Sequence, residues 1–305
     1  MKYIKVPNTD MNASEISLGC MRISEMTNQE ISTLIHTALD EGINFFDHAD
    51  VYGGGKCEEK FSEAQDMNSS LREKMILQTK VGIRQGSFDF SRDHILEAVD
   101  GSLKRLRTDH LDVVLLHRPD ALVEPEEVAE AFTILESSGK VKYFGVSNQN
   151  PMQIELLCKF VKQKIHFNQL QLSITNTGMI DAGINVNMQI NHSVDRDGSI
   201  LDYCRLKDII IQPWSPFQYG FFEGAFLDNP KFPELNKTID AIAKVKGVTN
   251  TAIAIAWLLR HPAHMQPILG TTNLQRVKDS CQASGITLTR EEWYQIYLAA
   301  GNKLP

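Results

Sequence analysis

Apolar and polar residues along this chain follow two alternating periods. Short apolar runs, rich in β-branched and aromatic residues, read as strands: SEISLG, INFF, MILQT, LDVVLL, YFGV, HFNQ, IIIQP and PIL. Between them, apolar residues recur at helical spacing. The first such stretch is the clearest. Thr27 precedes it with Glu30 three places on, a capping box, and Ile31, Leu34, Ile35, Ala38 and Leu39 keep one apolar face. Gly42 then supplies a C-terminal stop. The same spacing predicts helices over residues 91–106, 126–138, 151–160, 199–207, 233–246, 251–260 and 273–281. Strand followed by helix, repeated to eight strands, predicts βαβ units around a parallel sheet. The expected fold is α/β, a (β/α)8 TIM barrel. Two segments lie outside the repeat. The opening YIKVPNTDMNASEISLG reads as a hairpin with residues 8–12 as its turn, suited to plug one barrel end, and 290–300 reads as an extra C-terminal helix.

No Pro/Gly/Ser-rich linker divides the chain, so residues 1–305 are expected to form a single barrel domain. Two connections, 173–198 and 215–232, exceed the usual loop length; both follow strands and are expected over one pocket. The second is rich in aromatics: Phe217, Tyr219, Phe221, Phe222 and Phe226.

Composition narrows the partners. A net charge of −7 argues against nucleic acid, while leaving room for a local basic cluster that binds an anionic ligand. The five cysteines (Cys20, Cys57, Cys158, Cys204, Cys281) form no close pairs, so neither a disulfide framework nor a metal knuckle is expected. No apolar run follows the lysines of MKYIKVPNTD, and none elsewhere is long enough to span a bilayer. The expectation is a cytoplasmic protein without membrane partners, monomeric or a small homo-oligomer.

The chemistry sits where the strands end. INFF stops at Asp47, with Tyr52 following; MILQT stops at Lys80; LDVVLL stops at His117. YFGV stops at Ser147 and Asn148, HFNQ at Gln169, IIIQP at Trp214, and PIL at Gly270 and Thr271. In a parallel barrel those ends share one mouth. A tyrosine phenol titrates near ~10, and a lysine ammonium beside it favours the phenolate and lowers that value. A carboxylate keeps the lysine charged and oriented. Asp47, Tyr52 and Lys80 supply these types, and His117 can hydrogen-bond a substrate oxygen. The set suits a carbonyl that receives a hydride and a proton. No side chain supplies a hydride, so a nicotinamide cofactor is required. Ser147, Asn148 and Gln169 could hold its carboxamide, and Trp214 could stack on its ring. Other motifs lead elsewhere. GGG at 53–55 lacks the lysine of a phosphate loop and reads as a turn. HPAH at 261–264 is broken by Pro262 and has no metal-ligand spacing on a helix, so no metal site is expected.

The segments FDHADVYGGG, LQTKVG, DVVLLHRPD, FGVSNQ, FNQLQLS, QPWSPF and ILGTTNLQRV resemble the aldo-keto reductase superfamily over essentially the whole chain, and GCMR and WSPF are most similar to its bacterial oxidoreductases. The resemblance implies a barrel that holds NADP(H) in extended form, with NAD(H) disfavoured, and a small-molecule carbonyl substrate. It implies Tyr52 as the acid, Lys80 as its modulator, Asp47 as the partner of Lys80, and His117 as the group orienting the substrate. Cys20, Met21 and Ser215 would line the ribose and diphosphate. Gly270, Thr271, Thr272, Asn273 and Arg276 would hold the adenosine 2′-phosphate. Many members carry a lysine where this chain has Gly270, which leaves Arg276 as the expected cation. Two further readings stand beside this one: a slow or inactive NADP(H)-binding regulator, as in the potassium-channel β subunits that resemble the barrel, and a lyase or isomerase using Lys80 as a Schiff-base amine.

Overall fold

The computed structural model describes residues 1–65 and 69–305. Eight strands run parallel: β1 (Ser17–Gly19), β2 (Phe45–Asp47), β3 (Ile76–Val81), β4 (Leu111–Leu116), β5 (Val141–Ser147), β6 (Ile165–Gln171), β7 (Ile210–Trp214) and β8 (Ile268–Leu269). Their order is β7-β6-β5-β4-β3-β2-β1-β8, so the last strand lies beside the first. Ile268 pairs with Ser17, and the Gln266 amide donates to the Ile211 carbonyl at 2.9 Å across the remaining seam. The sheet thus curls into the nearly closed (β/α)8 barrel that the repeat predicts.

Side-chain parity decides what the barrel holds. Successive strand residues point to opposite faces. Phe46, Leu77, Val81, Val114, Leu116, Phe144 and Val146 pack outward into the large core beneath the helices. Phe45, Val113, Leu115, Phe167 and Ile210 point inward and pack with Val6, Met11 and Ala13. These last three come from the N-terminal hairpin (Tyr3–Lys5 antiparallel to Asn12–Ser14), which closes that end as expected. Asp47, His117, Gln169 and Trp214 share the parity of the inward residues below them on the same strands. The barrel is therefore apolar at the hairpin end and chemically equipped at the other.

Capping fixes the helix starts. Thr27, Asn150 and Thr289 each form a full capping box, opening Asn28–Asp40, Pro151–Cys158 and Arg290–Ala299. The two long connections are more structured than a loop reading implies. The first carries a helix, Gly178–Ile184, and the second a small hairpin, Gln218–Tyr219 with Gly224–Ala225. Tyr297 of the closing helix donates to Asp181 at 2.7 Å and so ties the first connection down. The helix Lys56–Gln65 has no counterpart in the apolar spacing, because its buried face mixes Cys57 and Phe61 with Glu58, Ser62 and Gln65. Among the described residues no single helix is long and apolar enough to cross a membrane.

Candidate functional site

β2 and β3 bring Asp47 and Lys80 together inside the barrel. Lys80 is fully buried and donates to both Asp47 carboxylate oxygens, at 2.7 and 2.8 Å, and to the His48 carbonyl at 2.7 Å. The ammonium is thus surrounded by acceptors, and the Tyr52 hydroxyl interacts with it as well. Burial works against its charge, but Asp47 and Tyr52 more than compensate and raise its pKa. Asp47 Oδ1 also accepts from Gln78 Nε2 at 2.6 Å and Gln169 Nε2 at 3.1 Å. Both glutamines reach Gln212 Oε1, whose own amide donates to Gln266 Oε1 at 2.8 Å, and Gln266 donates to the Ser14 carbonyl at 2.7 Å. A buried chain of amides thus links the ion pair to the plugging hairpin.

Tyr52 opens the tight turn Tyr52–Gly55. Gly53 and Gly54 take φ of 59° and 66°, a left-handed conformation that costs glycine least. The Tyr52 ring centre lies 5.0 Å from Lys80 Nζ and meets the His117 ring edge-on at 5.9 Å. The sequence suggests a depressed phenol pKa; the structure raises it. Burial pushes it up, Lys80 pulls it down, and Asp47 pushes it up again. Burial is the largest of these effects; Asp47 offsets part of the Lys80 pull and leaves the remainder too weak to reverse it. His117 moves the other way: burial first, then Lys80 and Arg118, hold its pKa well below the ordinary histidine value. At neutral pH the site presents a neutral phenol and a neutral imidazole above a compensated ion pair.

A cavity of roughly 330 Å³ opens over these groups, within the usual range for a small-ligand site. Its wall includes Met21, Asp47, Tyr52, His117, Ser147, Asn148, Gln169, Trp214, Ser215, Gly270, Thr271 and Arg276. Four sequence candidates are not on it. Lys80 lies buried beneath. Cys20 is buried with its thiol directed to the Leu18 carbonyl at 3.8 Å, and burial pushes its pKa up. Asn273 caps the helix Leu274–Cys281 by accepting from the Arg276 amide at 3.0 Å, and Thr272 stands outside the wall.

The wall fits a nicotinamide cofactor in its donor set. Ser147 Oγ donates to the Gln169 carbonyl at 3.1 Å and accepts from Asn148 Nδ2 at 2.7 Å; Asn148 Oδ1 accepts from Trp214 Nε1 at 3.1 Å. Gln169 Oε1 takes no donor from the described residues. Asn148 and Ser215 take φ of 56° and 54°, left-handed backbone at adjacent points of the rim. Space lies open above the α-carbon of Gly270, where a side chain would meet nothing within 4 Å.

Two arginines on this wall were not singled out by the strand-end pattern. Arg22, from the GCMR segment, donates to the Gly270 carbonyl at 3.1 Å and lines the cavity with Arg276. Arg22 thus brings a second guanidinium to the Gly270 segment from the opposite end of the chain. Arg118 directly follows His117 and lines the wall beside Tyr52 and Trp214. Its only sequence signal was adjacency to a strand-end histidine. Among the described residues no group of three or more His, Cys, Asp or Glu could hold a metal ion.

The Aldo/keto reductase family model matches residues 15–299. The chain is 35% identical to the Uncharacterized oxidoreductase YcsN of Bacillus subtilis (strain 168), covering 95% of each sequence. It is 33% identical to the 6-dehydroglucose reductase of Agrobacterium fabrum, covering 96% of each. Among solved structures, the thermostable aldo-keto reductase Tm1743, determined with the inhibitor epalrestat, matches with a TM-score of 0.79 at 25% identity, over 98% of this chain and 100% of that one. A family match that spans the barrel from its first strand to its closing helix, with bacterial relatives matched nearly end to end, makes this chain a member of the aldo/keto reductase family, nicotinamide-dependent oxidoreductases of carbonyl compounds.

Proposed function

We propose that this protein reduces an aldehyde or ketone to the alcohol, reversibly, with NADPH as the preferred cofactor and Tyr52 as the proton donor. The observation that carries this reading is a neutral phenol and a neutral imidazole facing one cavity above the buried Lys80–Asp47 pair. A bound nicotinamide would supply the hydride that the carbonyl carbon receives. The electron pair leaving the C=O bond settles on oxygen, which takes the Tyr52 proton. Lys80 then faces a phenolate, and the charge it retains steadies that anion until a proton returns. His117, neutral, donates a hydrogen bond to the substrate oxygen and sets its position.

Cofactor residues follow from what the wall offers. Ser147, Asn148 and the free Gln169 Oε1 supply donors and an acceptor for the carboxamide, and Trp214 supplies a flat face. Met21 and Ser215 would line the ribose and diphosphate, with Gly270 and Thr271 toward the adenosine 2′-phosphate. Arg22 and Arg276 bring two guanidinium groups to one end of the cavity, which favours a 2′-phosphate and hence NADPH over NADH.

A panel of carbonyl compounds, including 6-dehydroglucose because a relative is named for it, followed by NADPH absorbance tests the reading. We expect turnover of at least one member, faster with NADPH than with NADH. Tyr52→Phe should lose roughly 10²-fold or more in turnover while binding NADPH as before. Near-normal turnover by a folded Tyr52→Phe protein would remove Tyr52 as the acid. Tight NADPH binding with no turnover on any carbonyl would favour a regulator.

A further inference from the structure

Of the three arginines on the cavity wall, Arg118 is the half-buried one, and no carboxylate among the described residues pairs with it. Arg118 stands beside Tyr52 and His117, with its guanidinium carbon 5.6 Å from the centre of the Trp214 ring. The side chain is half-buried, and burial pulls its pKa below the ordinary arginine value. None of its N–H donors is used by a described residue. The other sheltered arginines among the described residues each have a partner: Arg72 pairs with Asp112 and Arg105 with Glu58, each at 2.8 Å, and Arg260 donates to the Leu288 carbonyl at 2.8 Å. The acids on the same wall are committed elsewhere, Asp47 to Lys80 and Asp228 to the Asn250 amide at 3.1 Å.

A half-buried guanidinium with no counter-charge is costly, and chains of this kind seldom keep one without a use. Its planar fork matches an oxyanion with two parallel hydrogen bonds, a match that a neutral hydroxyl cannot make. Trp214 and Phe222 give the adjoining wall an apolar surface against which a short carbon linker can lie. We infer that the substrate carries an oxyanion close to its carbonyl, a carboxylate in the first instance, and that Arg118 seats it. This rests on the reductase reading of the same cavity. It makes short oxo acids the favoured class.

The test compares 4-oxobutanoate with its methyl ester, and glyceraldehyde 3-phosphate with glyceraldehyde, in the unmodified protein and in Arg118→Gln and Arg118→Lys. A charge-assisted hydrogen-bond pair corresponds to roughly 10- to 100-fold in kcat/KM. We expect acid over ester by about that factor, a ratio near one in Arg118→Gln, and partial recovery in Arg118→Lys, which keeps the charge but not the fork. A preference confined to the phosphorylated aldehyde and lost in Arg118→Gln would overturn the carboxylate and keep the oxyanion seat. Equal use of acid and ester, and of both aldehydes, would overturn the seat while leaving the reductase reading intact. Succinate and succinamide, added to the protein with NADP+ and followed by tryptophan fluorescence, separate the two claims. Arg118-dependent binding of succinate without turnover of any carbonyl would sink the reductase reading alone. Absence of both would sink the seat.

Discussion

Lys80 keeps its charge where burial alone would remove it, because Asp47 and the His48 carbonyl surround its ammonium with acceptors. That arrangement fixes what Lys80 can do for Tyr52. A lone ammonium 5.0 Å from the phenol ring would strongly favour the phenolate; a paired one only offsets part of what burial does. Sequence reading identified these residues, since a buried lysine ending an apolar strand is rare. Residue types give the direction of the Lys80 effect on Tyr52, which is downward, but not the larger upward effect of burial, because burial belongs to the fold and to no single residue. Lys80→Met tests the coupling. With the cation gone, nothing opposes burial and Asp47, so the Tyr52 pKa rises further. The protonated form is present below that pKa and lost above it. In alcohol oxidation, where the phenolate is needed, the rising limb of the pH–rate profile should move alkaline. The profile is the deciding measurement, since Lys80→Met also strands the Asp47 carboxylate and should destabilise the protein by roughly 3–5 kcal/mol. Lost stability with an unmoved limb would make Lys80 structural only.

Elements carry the next constraint, and β3 shows it best. Its strand period puts Gln78 and Lys80 inside, and the chain must then turn away at once to clear the cavity mouth. Gly82 makes that turn at φ +107°, and a β-carbon there would sit 2.2 Å from Cε1 of Phe90, itself buried. Gly86, a few residues on, has φ +78° with nothing within 4 Å of an added β-carbon. The two substitutions separate backbone strain from overpacking. Gly86→Ala should cost about 1 kcal/mol, from the left-handed conformation alone. Gly82→Ala should cost roughly 2–4 kcal/mol, strain plus the displaced ring. Urea midpoints with unchanged slopes would measure both; equal costs would show that Phe90 yields freely. Strands and most helices were legible because their apolar period survives in one dimension. Lys56–Gln65 was not, since its buried face carries Glu58, which accepts from Thr79 at 2.6 Å and pairs with Arg105 at 2.8 Å. Both partners are remote in sequence. Gly178–Ile184 was hidden for the same reason, anchored by Tyr297 from the closing helix.

At the scale of the whole molecule, the buried ionisable groups set how stability follows pH, and they do not all pull together. His48 is held down to about 3, by burial and then Lys80, and His166 and His261 to about 4, mainly by burial. His117 lies well below its ordinary value. The unfolded chain binds protons at these sites near ~6.5 while the folded protein does not, so each contributes stability that grows as pH rises from roughly 4 to 6.5. Asp50 does the reverse. Its pKa is pushed up to about 7 by burial and then by Glu58; Arg105, paired with Glu58, pulls it down by less. Its Oδ1 is buried without a hydrogen-bond partner among the described residues. The folded protein therefore binds this proton more tightly than the unfolded chain, and the carboxyl's contribution is lost as pH rises from its ordinary value to about 7. Four histidines outweigh one carboxyl, so the melting temperature should climb from pH 4 to 6.5. Asp50→Asn isolates the opposing group, replacing a carboxyl that must ionise with an amide that need not and that can donate toward Glu58. It should leave stability near that of the unmodified protein at pH 4. At pH 8 it should raise it by on the order of 2 kcal/mol, the part of a pKa rise of this size that survives relaxation of the site. Thermal melts of the two proteins at both pH values decide it. A gain of the same size at pH 4 would show that the amide acts by packing and not by removing a charge.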